Sequence, residues 1–152
     1  LCETGRKFEV DKITSDVILS SLPMEKGYVL MSDLEGTNPL ESGFEWSIHW
    51  DKDFVGKEAL EKVKKEGAKR SLLGFTIDDE LEINPNSKIT INGKEVGKVT
   101  NSTFGYTVGK TIGYALVDNF LANIGDKVLI DGHEATLVER IFYDSENERV
   151  RA

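Results

Sequence analysis

The chain has 152 residues, 39% of them hydrophobic and 30% charged, with a formal net charge of -8. That is enough for one domain with a sizeable core, or for a small domain plus part of a neighbour, and it excludes a disordered chain. The acidic balance argues against a nucleic-acid partner, because phosphate binding needs a basic surface, and no apolar run reaches the roughly 20 residues that span a bilayer.

The single cysteine, Cys2, has no partner for an internal disulfide and no activating His or Asn nearby. With no secretory segment in view, a reducing, cytoplasmic setting is expected. The first residue is Leu1 rather than methionine, which suggests a fragment of a longer protein.

Asp11 to Leu22 carries Ile13, Val17, Ile18 and Leu22 at spacings near those of an amphipathic helix. Thr14, Ser15 and Asp16 are alternative caps, and Pro23 is expected to end the helix. Phe44, Trp46, Ile48 and Trp50 alternate with Glu45, Ser47 and His49, which predicts a half-buried strand. From Gly56 to Glu66 the period turns helical, with Ala59, Leu60 and Val63 as the apolar stripe and Gly67 as terminator. Glu58–Lys62 and Glu61–Lys65 are expected as ion pairs along it.

After Lys69 the chain reads as strands. Ser71 to Ile77 is the first. Asn92-Gly93 joins Lys88–Ile91 to Lys94–Val99, with Ile89 expected opposite Val96. Asp131-Gly132 joins Lys127–Ile130 to His133–Val138, with Val128 opposite Ala135. Both dipeptides tolerate the positive φ of a tight hairpin. Thr111 to Val117 alternates between hairpins, and Leu137 to Tyr143 reads as a last strand. Five to seven short strands at this spacing predict an antiparallel barrel or sandwich.

Few motifs carry chemistry. His49 and His133 stand at polar or turn positions without a second ligand at metal spacing. Gly105 to Lys110 (GYTVGK) lacks the spacing of a phosphate loop. Thr100 to Thr103 has no nucleophile elbow around it. Asp78, Asp79, Glu80 and Glu82 lack calcium-loop spacing and read as a solvated loop.

Several blocks together carry a resemblance. Gly5-Arg6-Lys7-Phe8 is followed by Leu22-Pro23-Met24-Glu25-Lys26-Gly27-Tyr28, then by Asp33 to Gly43 (DLEGTNPLESG) and Asp53 to Leu60 (DFVGKEAL). Gly93 to Thr103 (GKEVGKVTNST), Gly109 to Asp118 (GKTIGYALVD) and the tail Phe142 to Arg151 (FYDSENERVR) complete the series. In order and spacing these resemble the C-terminal portion of the aminomethyltransferase family. That family comprises the glycine-cleavage T-protein and the folate-dependent sarcosine and dimethylglycine enzymes.

The resemblance implies an α+β, mainly β fold. In it an antiparallel Greek-key or jelly-roll-like barrel is preceded by a short helix and an N-terminal remnant of the folate-binding domain. The implied boundaries are 1–52 for that remnant, 53–69 for a bridging helix and 70–152 for the barrel. It implies tetrahydrofolate as cofactor and one-carbon transfer from a small methylated or aminomethyl amine, a transferase chemistry assisted by an aspartate in the absent N-terminal half. Glu25, Tyr143 and Arg149 are the implied cofactor-binding residues, and no catalytic residue or metal ligand is assigned. Pro23 stands where the family's motif has an arginine.

Two functional readings follow. In one the chain is part of a folate-dependent enzyme, inactive alone; in the other it is a non-catalytic barrel that serves as a binding or assembly partner. A subunit that completes its cavity with another chain is a third. An aromatic row bared over 44–50 leads to the expectation of self-association or a partner chain.

Overall fold

The computed structural model describes residues 2–8 and 12–151, with Cys2 and Val150 as backbone only. Two short turns open it, α1 (Cys2–Gly5) and a 3-10 turn at Arg6–Phe8. The expected helix start at Asp11 lies outside the described residues.

The alternating segments after residue 70 form six antiparallel strands: β1 (Arg70–Ile77), β2 (Lys88–Ile91), β3 (Lys94–Gly105), β4 (Lys110–Asp118), β5 (Lys127–Ile130) and β6 (His133–Val138). Their order around a closed barrel is β1-β4-β3-β2-β5-β6, and β6 returns to pair with β1. Three consecutive hairpin-linked strands with β1 laid beside β4 make this a Greek key, as the sequence led us to expect. Each of the six strands pairs with a neighbour on both sides, which limits the edge open to aggregation.

Both tight hairpins form where the dipeptides place them. Asn92 and Gly93 have φ of 51° and 77°, and Asp131 and Gly132 have φ of 50° and 87°. Positive φ at both central residues defines the type I′ turn, whose twist matches the flanking strands. Val128 pairs with Ala135 as expected. Ile89, however, pairs with Gly97 rather than Val96, because a bulge in the β2–β3 ladder inserts one residue between the Thr90–Glu95 and Ile89–Gly97 pairs. Val96 still reaches the core at 4% exposure.

β4 is buried on both faces. Its Ala115 and Val117 join Phe75, Val99, Ile130 and Leu137 inside the barrel. Ile112, Tyr114 and Leu116 point out of it, yet are covered by Met24, Val29, Leu34 and Phe142. The residues before and after the barrel thus make a second core on its outer wall, and that core positions the site described below.

Four further expectations are corrected. Pro23 does not end its helix: residues 17–21 widen to a π turn in which the Leu22 N–H reaches the Val17 carbonyl, and α2 (Leu22–Glu25) continues through the proline. The wider turn directly before the proline makes room for a ring and a missing N–H that a regular α-helical interior would not accommodate.

Phe44 to Trp50 is not a strand. A 3-10 turn at Glu45–Ser47 bonds its backbone locally, through Ser47 N–H to Phe44 O and Ile48 N–H to Glu45 O, both at 3.0 Å. Trp46 is left 80% exposed. The neighbouring side chains answer to α3 (Lys57–Glu66) instead: Lys64 pairs with Glu45 at 2.7 Å and stands 4.6 Å from the Trp50 ring.

α3 itself forms over the expected residues and stops at Gly67. Its ion pairs differ, with Lys62 at 4.0 Å from Glu66 and Lys57 at 3.9 Å from Asp53. Finally, Leu137 to Tyr143 is not a separate strand. β6 ends at Val138, and the next residues leave the ladder to bond the segment before the barrel.

Candidate functional site

Residues 21–28, the β3–β4 loop and the tail after β6 converge on one corner, and Glu25 is the knot. Its side chain is 2% exposed. A buried carboxylate is costly unless hydrogen-bonded. The Thr107 N–H donates to Glu25 Oε1 at 2.7 Å, and one helical turn earlier the Tyr106 N–H donates to Ser21 Oγ at 3.3 Å. The GYTVGK loop therefore does offer backbone amides, but this chain's own Glu25 and Ser21 occupy them. Gly105 lets the carboxylate in close, since a Cβ there would lie 3.2 Å from Glu25 Oε1.

The main chain of Glu25 holds the tail. Its carbonyl accepts the Phe142 and Tyr143 N–H groups at 2.9 and 3.0 Å. Next to it, Lys26 Nζ donates to the Asp144 carbonyl at 2.5 Å and lies 3.2 Å from Asp144 Oδ2. Desolvation opposes ionisation of Asp144, but the Lys26 hydrogen bond, the Glu148 and Arg149 N–H groups and the Lys26 charge together hold it below the usual carboxylate range. α4 (Glu148–Arg151) starts from that aspartate, whose Oδ1 accepts the Glu148 N–H at 2.8 Å.

Of the three residues implied by the resemblance, Glu25 and Tyr143 meet through that carbonyl. Arg149 is exposed and stands 5.5 Å from the Tyr143 ring. Tyr143 is half-buried between them. Pro23 presents a carbonyl that accepts the Tyr28 N–H at 3.0 Å, and no donor.

Beneath the corner lies Tyr114, fully buried, stacked on Phe142 at 6.2 Å and 24°. Its hydroxyl donates to the Tyr28 carbonyl at 2.7 Å, with the Met24 carbonyl at 3.2 Å. Burial pushes its ionisation well above the ordinary phenol range, the Asp33 charge adding to this and Arg140 opposing it.

Arg140 is a residue the sequence did not single out. Its Nη1 donates to the Ser42 carbonyl at 2.6 Å and its guanidinium stands 4.9 Å from the Phe44 ring, tying the tail to the 38–44 turn. Arg140 borders a cleft of about 530 Å³ with Leu40, Gly43, Ser71, Leu73 and Ser145. A basic residue just past a strand end carries no local signal of such a contact. His49 and His133 are exposed, and among the described residues no three His, Cys, Asp or Glu side chains are grouped as metal ligands. No helix of the described residues is long and apolar enough to cross a membrane.

The comparisons agree with this architecture. Residues 70–144 match the family model described as the glycine cleavage T-protein C-terminal barrel domain. The mitochondrial dimethylglycine dehydrogenase of Mus musculus is 32% identical over 142 residues, covering 88% of this chain and 16% of that protein. An aminomethyltransferase of Thermotoga sp. strain RQ2 is 40% identical over 114 residues, covering 72% of this chain and 31% of the relative. The crystal structure of glycine cleavage system aminomethyltransferase T from Bartonella henselae superposes with a TM-score of 0.75 at 21% identity, over 82% of this chain and 38% of that one. The chain thus spans less than half the length of each. Residues 70–144 are a glycine cleavage T-protein C-terminal barrel domain, and the chain belongs to the aminomethyltransferase family as its C-terminal portion.

Proposed function

We propose that this chain is the C-terminal portion of a tetrahydrofolate-dependent aminomethyltransferase or demethylase, moving a one-carbon unit from a methylated or aminomethyl amine to folate, and that it is inactive alone. The observation that carries this reading is the Glu25 corner. It makes the segment before the barrel, the β3–β4 loop and the tail one rigid piece. A rigid piece serves as the fixed wall of a cavity whose other walls belong to the rest of such an enzyme.

Within this reading residues 1–52 end the folate-binding domain, 53–69 bridge, and 70–152 form the barrel. Tyr143 and its partner Arg149 stand at the opening over the folate. Glu25, committed to Thr107, acts there by holding its neighbours in place.

A second reading rests on Pro23. With neither charge nor donor where the family's motif has an arginine, the chain would be a non-catalytic barrel that binds or assembles with a partner. Calorimetric titration with tetrahydrofolate separates the two. The isolated chain is expected to give no heat at micromolar ligand. A fusion in which it replaces the matched segment of the Thermotoga aminomethyltransferase is expected to bind. A silent fusion would favour the second reading, and heat from the isolated chain would end the claim that it is inactive alone.

A further inference from the structure

The helical run over 15–25 presents its faces the opposite way round from an ordinary surface helix. Side chains three and four residues apart share a face. Ser21, Met24 and Glu25 are buried against the barrel, where Ser21 and Glu25 hydrogen-bond the Tyr106 and Thr107 amides. The polar oxygens are inside. Ile18, Leu19 and Leu22 point outward, 48%, 68% and 41% exposed, and with Ser15 they make an i, i+3, i+4, i+7 stripe that contains no charge. A single exposed leucine is ordinary, but an outward apolar stripe on a helix is the pattern of a face that packs on something.

Coverage says what packs there. The stripe lies ahead of the barrel at 70–144, and this chain superposes on only 38% of the Bartonella aminomethyltransferase and spans 31% of the Thermotoga relative. We infer that Ile18, Leu19 and Leu22 are the seat for the remainder of an aminomethyltransferase-type protein, which meets them with an apolar protein surface. The inference rests on the enzyme-portion reading and adds to it which residues form the seam. Burying an aliphatic side chain of this size strengthens an interface by roughly tenfold or more, so each is a useful probe.

The test co-expresses this chain with the part of the Thermotoga aminomethyltransferase outside the matched segment and measures the complex by sedimentation. Ile18→Lys and Leu19→Lys are compared with Val55→Lys, on the fully exposed loop before α3. The wild-type chain and V55K are expected to form the complex, and each stripe variant is expected to weaken it by roughly tenfold or more. Circular dichroism and thermal unfolding of the separate chains are expected to be unchanged by all three substitutions. Equal binding by every variant would overturn the seam while leaving the enzyme reading intact. No complex with the wild-type chain would overturn the enzyme reading itself. Self-association abolished by I18K and L19K would make a second copy the occupant, and unfolding of the variants would make the stripe part of this chain's own core; either result overturns the inference.

Discussion

Glu25 joins two segments 82 residues apart: its carboxylate accepts the Thr107 amide at 2.7 Å from a position only 2% exposed. Hydrogen bonds to charged groups contribute roughly 1.5–3 kcal/mol, and removing one partner leaves the other desolvated. Glu25→Ala is therefore expected to lower stability by about 2–3 kcal/mol in urea titration, and Glu25→Gln by less, because its amide oxygen can still accept. The discriminating signal is the Thr107 amide resonance, which should shift upfield in the alanine variant and stay near its place in the glutamine variant. Equal stability of wild type and E25A would remove Glu25 from its role as the knot of this corner.

Gly113 faces the Phe75 ring across the β1–β4 pair, where the two residues are partners in register. A Cβ at Gly113 would lie 2.5 Å from both the Asn101 carbonyl oxygen and Phe75 Cζ. Neither neighbour is a loose side-chain end, so the barrel wall must shift. Overpacking a closed core costs about 1–3 kcal/mol and sometimes more. Gly113→Ala is expected at or above the top of that range, as a melting temperature lower by roughly 6–12 °C. Gly105→Ala, whose Cβ would come no closer than 3.0 Å to its neighbours, is expected to lose clearly less.

What the sequence made legible was local. The hairpins at Asn92-Gly93 and Asp131-Gly132 could be placed because the turn residues themselves require positive φ. α3 could be bounded because glycines flank it. Phe44 to Trp50 misled because period-two spacing was its only signal, while Lys64, from a helix further along the chain, takes up Glu45 and Trp50. The helix before α2 was recognised, but its inward face was not. Ser21 and Glu25 face the barrel only because Tyr106 and Thr107 offer amides there, a non-local fact that composition cannot carry. The site shows the same division: the GYTVGK loop lacks the spacing of a phosphate loop, and its use as the socket for Glu25 left no mark on the sequence.

The Lys26–Asp144 pair gives the tail a pH dependence. Asp144 is held below its ordinary value of 3.8 in the folded chain. A carboxyl with a depressed folded value contributes stability above its unfolded value, and that stability is lost as pH falls through the folded one. The contribution is thus intact at neutral pH and disappears only below about pH 4. Asp144→Asn is expected to be less stable than wild type at pH 6 and to converge with it by about pH 2, measured as denaturation midpoints along the pH series. Parallel curves over the whole range would show that the pair does not hold the tail.

Tyr114 works in the opposite direction. Its hydroxyl is fully buried, donates to the Tyr28 carbonyl at 2.7 Å, and ionises well above the ordinary value of 10.0 because of that burial. A group whose folded value is raised contributes stability below its unfolded value and loses it as pH rises beyond that point. Wild type should therefore weaken progressively above about pH 10 as the unfolded phenol ionises. Tyr114→Phe removes the donor and leaves the Tyr28 and Met24 carbonyls without it, so it is expected to cost about 1–2 kcal/mol at neutral pH. The same variant has no phenol to ionise, so its difference from wild type should shrink above pH 10. Ultraviolet absorbance of phenolate, followed alongside unfolding, checks this directly: Tyr114 should ionise only as the chain unfolds. Ionisation of all four tyrosines in a still-folded chain would show that the hydroxyl is not sealed beneath Phe142.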